Sequence, residues 1–93
     1  MSDALIQHVE IVNQRGLHAR ASAKFVNFVA ALPECIVVTV HKDGNEANGG
    51  SILGLMMLGA AKGDSIEIRA VGEGADAVMP KLVGLVMDGF GED

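Results

Sequence analysis

Aromatic residues are almost missing from this 93-residue chain: it has no tryptophan, no tyrosine and three phenylalanines. Modules that bind single-stranded nucleic acid stack bases on aromatic rings, so the scarcity argues against that class. Cysteine is nearly absent too. The single Cys35 cannot close an internal disulfide, and a metal site needs more ligands than it supplies. Its expected role is that of a small buried apolar side chain. Positive charge is in deficit, with a formal net charge of −5, which disfavours non-specific binding to nucleic-acid phosphates. No apolar run approaches the ~18 residues of a membrane span, and no basic-then-apolar leader opens the chain. A soluble, cytoplasmic protein with no direct membrane insertion is expected. Internal repeats and low-complexity linkers are lacking as well, so residues 1–93 should form a single domain.

What the chain does have is aliphatic bulk. Hydrophobic residues make up 49% of it, and five methionines can fill the gaps that aromatics would otherwise occupy. Charge is unevenly spread. Residues 1–42 set Arg15, Arg20, Lys24 and Lys42 against Asp3, Glu10 and Glu34, whereas residues 43–93 hold nine acids against Lys62, Arg69 and Lys81. An anionic ligand would therefore favour the first half, near Arg15 and Arg20.

Hydrophobic spacing sets out the elements. Residues 5–12 alternate, with Val9 and Ile11 on one face and His8 and Glu10 on the other, as in a strand with one wet side. Ala21, Phe25, Phe28 and Leu32 recur at helical spacing, which predicts a helix over 19–32, stopped by Pro33. Residues 35–41 are β-branched and read as a strand. Residues 42–45 read as a hairpin turn in which Gly44 takes positive φ, with a short returning strand at 46–48. Ser51 is placed to cap a helix over 52–58. Residues 64–72 alternate with Ile66, Ile68 and Ala70 on one side. Val78, Leu82 and Leu85 or Val86 predict a last helix from about 75 to 88, in which Pro80 requires either a late start with Asp76 as cap or a kink. The order βαββαβα predicts an α+β open-faced sandwich, a four-stranded antiparallel sheet with three helices on one face.

One short stretch carries chemistry. In "RGLHARASAKFV", residues 15–26, Gly16 permits a backbone conformation other residues resist, Leu17 can anchor the loop, and His18 falls at the start of the first helix. The first backbone N–H groups of a helix lack partners within it and form its positive end, so an anion held there gains hydrogen bonds and dipole stabilisation. An imidazole at that point can attack a phosphoryl group and carry it, with Arg20, and Arg15 from the loop, neutralising its oxygens. A histidine at such a boundary can equally be a plain cap or a surface residue. His8 and His41 are expected at solvent-facing strand positions, and no metal site or cofactor is expected.

"GLHARASAKFV" together with "GGSILGLMMLGAAKGDSIEI", some thirty residues later, resembles the HPr/NPr family, the histidine-containing phosphocarriers of the bacterial phosphotransferase system. The resemblance covers almost the whole chain. It implies that His18 is the phosphorylated nucleophile and Arg20 the residue that stabilises phosphate charge. The phosphoryl group would come from enzyme I, charged by phosphoenolpyruvate, and pass to a histidine on an enzyme IIA. The protein would then be a transfer intermediate rather than a free-standing catalyst, and a monomer.

The same resemblance implies that Ser51 is a regulatory phosphorylation site for a serine kinase/phosphorylase, and that Ile52, Leu53 and Met56 form a partner-docking patch. Three departures stand out. Ala21 replaces a frequent proline, Gly50 replaces a frequent lysine before the serine, and Asn27 and Ala30 stand where sugar-pathway members often have basic residues. "GLHARAS" resembles the nitrogen-related NPr branch at least as much as the sugar-transport branch. Two other readings of the same layout are a non-catalytic regulator acting through the Ser51 helix and a small-ligand sensor. The latter lacks any glycine-rich phosphate loop.

Overall fold

A computed structural model describes residues 4–92. Four strands, β1 (Leu5–Glu10), β2 (Val37–Lys42), β3 (Asn45–Asn48) and β4 (Ser65–Val71), lie in the order β1-β4-β2-β3, with every neighbouring pair antiparallel. Two helices make the crossovers, α1 (Ala19–Ala30) from β1 to β2 and α2 (Ile52–Met57) from β3 to β4. Helix α3 (Ala75–Met87) and a 3-10 turn at Gly89–Gly91 close the chain. This is the expected α+β open-faced sandwich. Among the described residues, no helix is long and apolar enough to cross a membrane.

Alternation in the strands dictates the layering. Val9, Val38, Val40, Ala47, Ile66, Ile68 and Ala70 all point to one face and are buried there. Ala21 and Phe25 of α1, Leu55 of α2, and Val78, Met79, Leu82 and Val86 of α3 join them in one aliphatic core. The other face keeps His8, Glu10, Glu67 and Arg69, and is not covered. The β2–β3 hairpin turns on Asp43 and Gly44, both at positive φ, as the right-handed twist of the strands demands of a two-residue turn.

The structure corrects two sequence expectations. Cys35 is exposed rather than buried, because β2 begins two residues later and leaves it in the connecting loop. Helix α3 neither starts late nor is capped by Asp76. It begins at Ala75 behind Gly74, which takes the left-handed conformation at the N-cap, and runs unbroken through Pro80. Proline removes the bond to the carbonyl four residues back, that of Asp76. Both Asp76 and Pro80 face solvent, where water can satisfy that carbonyl, and the stripe from Val78 to Val86 holds the helix to the sheet.

Phe25 is 1% exposed at the centre of this core, whereas Met57 is 77% exposed. Phe25→Ala is expected to lower stability by about 3–5 kcal/mol, and Met57→Ala by less than about 0.5 kcal/mol. Urea unfolding midpoints measure both. An unmoved midpoint for Phe25→Ala would mean that α1 does not pack as described.

Candidate functional site

His18 is the N-cap of α1, with extended backbone dihedrals and a carbonyl that accepts from Ser22 N at 2.9 Å. Its side chain does not cap the helix. The amides of Ala19, Arg20 and Ala21 therefore have neither an intrahelical acceptor nor a side-chain cap. The loop that delivers His18 is held by close contact. Leu17 N donates to Ala60 O at 2.9 Å, and a Cβ on Gly16, which sits at φ +62°, would lie 2.2 Å from that same oxygen. Only glycine fits there, so the expectation for Gly16 holds, and the reason is a backbone approach the sequence could not display.

The imidazole is partly exposed, at 22%, and Arg15, Arg20 and Lys24 line the same shallow depression together with Gln14, Gly91 and Glu92. Among the described residues, no carboxylate lies within ion-pair distance of Arg15 or Arg20. Both keep their charge free for a ligand. His18, Arg20 and Arg15 thus come together as the sequence suggests.

The chain's far end completes the site, and this the sequence did not reveal. His18 Nε2 lies 2.9 Å from both carboxylate oxygens of Glu92. Asn13, 1% exposed, donates from Nδ2 to Gly16 O at 2.8 Å and to Glu92 Oε1 at 3.0 Å. Its Oδ1 is buried without a partner among the described residues, a cost of about 1–3 kcal/mol that evidently falls on a side chain needed for position. Phe90, 1% exposed, pins the tail in the core, and Lys24 Nζ donates to Phe90 O at 2.6 Å. The one signal in the sequence was Phe90 itself, a lone aromatic beyond the last helix that has to bury somewhere.

Glu92 titrates below the ordinary carboxylate value, chiefly because of its hydrogen bond with His18 and then, against the opposing desolvation, because of Asn13 and the nearby charges of His18 and Lys24.

Ser51 caps α2 as expected, its Oγ accepting from Gly54 N at 2.9 Å. Helix α2 packs on α1 and buries Leu55 and Leu58, leaving Ile52, Leu53, Met56 and Met57 exposed in a contiguous apolar patch. Met57, the most exposed of these, was not among the expected docking residues. His8 and His41 lie on the open sheet face, flanking Glu67 in register, away from His18. His41 is less solvent-facing than expected, its side chain 17% exposed beside Thr39 and Glu46.

The family model for the PTS HPr component phosphorylation site matches residues 6–88. The chain is 44% identical to the phosphocarrier protein HPr of Neisseria meningitidis over 95% of this chain and 97% of that one. It is 34% identical to the phosphocarrier protein NPr of Escherichia coli over 94% and 96%. A crystal structure of HPr from Thermoanaerobacter tengcongensis superposes with a TM-score of 0.87 at 34% identity, covering 96% of this chain and 98% of that chain.

A depressed carboxyl group contributes stability above its unfolded-state value and loses that contribution as pH falls through its folded-state value. Docking of the tail by Glu92 should therefore persist down through pH 4.5 and fail only below it. The carbon-13 shift of the Glu92 carboxyl, followed against pH, should show its midpoint below 4.5. A midpoint at or above that value would mean the tail does not rest on His18 in solution.

Proposed function

The chain belongs to the HPr/NPr family of phosphocarriers of the phosphotransferase system, and from that premise we propose that His18 takes a phosphoryl group from enzyme I and gives it to a histidine of an enzyme IIA. The observation that carries this reading is the arrangement at the start of α1. One ring nitrogen of His18 is held by Glu92, and beside it stand the other ring nitrogen, the first amides of α1 and two arginines, all without a side-chain partner among the described residues.

Nδ1, the unpartnered nitrogen, is the nucleophile. Its lone pair attacks the phosphorus of the donor's phosphohistidine. The donor's N–P bond breaks, and its electron pair returns to the donor ring. The proton on Nε2 stays where it is. Onward transfer is the same step reversed, with the electron pair returning to Nδ1 as the acceptor histidine takes the group. Arg20 neutralises the phosphoryl oxygens in flight, and the amides of α1 offer hydrogen bonds to them.

Ile52, Leu53 and Met56, with Met57, form the docking surface on this reading. Methionine side chains adapt to more than one partner, which a carrier facing both a donor and an acceptor requires. Ser51 is the proposed regulatory site for a serine kinase/phosphorylase. Its Oγ already caps α2, so phosphorylation would exchange that cap, worth about 1 kcal/mol, for roughly two negative charges beside the apolar patch.

Incubation with radiolabelled phosphoenolpyruvate and the cognate enzyme I should place one acid-labile, base-stable phosphate on the protein. His18→Ala should abolish the label, and Arg20→Ala should slow its uptake by about 10²-fold. Label that survives His18→Ala refutes the carrier reading. Met56→Glu should raise KM for the chain as substrate of enzyme I, with its stability unchanged. An unaltered KM would remove α2 from the docking surface.

A further inference from the structure

The sheet has two edges, and the chain treats them differently. At one edge β3 is four residues long, and Asn45, Glu46 and Asn48 leave it polar and exposed. A short, charged strand of that kind discourages pairing with another chain. At the other edge β1 is six residues long, begins with the exposed Leu5 and Ile6, and has no lysine and no proline. Its register with β4 runs from Leu5 to Glu10 without a bulge. Among the described residues, nothing outside β4 bonds its backbone. The protective devices are present on β3 and missing on β1.

Beside that open edge runs an apolar groove. Leu5, Ile6 and Gln7 form one wall, and Met79, Pro80 and Val83 of α3 form the other. The trough continues along β1 past Val9 to the exposed Val12 and Met87. An added strand at this edge would have every second side chain over the groove and the alternate ones on the open sheet face. We propose that the β1 edge and this groove are a docking site for an extended, apolar segment of a partner protein with basic residues at its ends.

Charge decides the occupant. The full charges lining the trough are both acidic, Asp76 at the Leu5 end and Glu10 at the other. Neither has an ion-pair partner among the described residues. Lys81, the one cation of α3, does not line the trough, and His8 lies 3.1 Å from Glu67. Pro80 has no N–H to give the carbonyl of Asp76, so that residue offers a carboxylate and a spare carbonyl to an ammonium or guanidinium group. A second copy would instead bring the same two acids to the contact, on a chain of net charge −5. Backbone pairing would supply affinity, the groove would select apolar side chains, and the acids would select basic ends.

The trough shares no lining residue with the depression at His18, and α2 contributes nothing to it. A partner held here leaves the face around His18 free, so two proteins could be engaged at once.

The test uses a synthetic peptide of alternating valine and threonine with two lysines at each end, and a second peptide with glutamates in their place. Titrated into nitrogen-15-labelled protein, the lysine-ended peptide should shift the amides of β1 and of residues 76–83 and leave that of His18 unmoved. Hydrogen exchange at the outward amides of β1 should slow. The glutamate-ended peptide should bind about tenfold more weakly at low salt. Asp76→Lys, a change at an exposed position, should weaken the lysine-ended peptide and strengthen the other.

An absence of β1 shifts at millimolar lysine-ended peptide would overturn the proposal, as would shifts confined to α2 and the His18 loop. Equal affinity for the two peptides would remove the acids from recognition and with them the assigned occupant. Sedimentation showing a doubled mass, with β1 amides protected and no peptide present, would give the groove to a second copy instead.

Discussion

Only one face of the four-stranded sheet is covered, and that constraint governs the rest of the molecule. A chain this short with so few aromatics must build its core from Val, Ile, Leu and Met, and such a core stays dry only if both crossover helices and α3 lie on the same side. The strand order β1-β4-β2-β3 follows, since each crossover must pass over a strand inserted from elsewhere in the chain. The crossovers in turn decide where helix ends fall. The loop from β1 must climb from the sheet edge into the helical layer within a few residues, and it does so by pressing Gly16 against the backbone at Ala60.

The site is a by-product of that climb. At its top the backbone of His18 stops being strand-like and becomes helical, so the residue sits where the chain has amides to spare. A phosphate needs several donors and positive charge in one place, and a helix start supplies the donors at no further folding cost. Among the described residues the two arginines have no ion-pair partner, in contrast to Arg69 on the open face, which is engaged by Glu67. Lys24 is different again. Its bond to Phe90 O spends it on the tail, and by doing so brings Glu92 within reach of the imidazole.

What could be read from the sequence divides along sequence distance. The alternation of Ile66, Ile68 and Ala70, the cap at Ser51 and the placing of His18 before α1 are local patterns, and the structure reproduces them. Cys35 was misread because a β-branched run shows that a strand exists more reliably than where it starts. The late start expected on account of Pro80 failed because the penalty depends on whether one particular carbonyl can reach water, which spacing does not reveal. Asn13 and Glu92 had no signature at all. A polar residue after a strand and an acid near the end of a chain are ordinary features, and only tertiary contact joins Glu92 to His18 and Asn13 to Glu92.

A group that must be both gained and surrendered places opposing demands on its site. Strong stabilisation of the phosphorylated ring would trap it, and none would leave the ring a poor acceptor. The structure separates the two demands in space. Glu92, held by Asn13, contacts Nε2, the side of the ring that on the proposed reading keeps its proton throughout. The side that bonds phosphorus is left open, exposed beside cations and amides that hold no ligand of their own until a partner closes over them. On the proposed reading, most of the stabilisation during transfer is supplied jointly with the docked partner. On that reading, stabilisation of the moving group comes and goes with the partner, which would let one imidazole serve as acceptor and donor in turn.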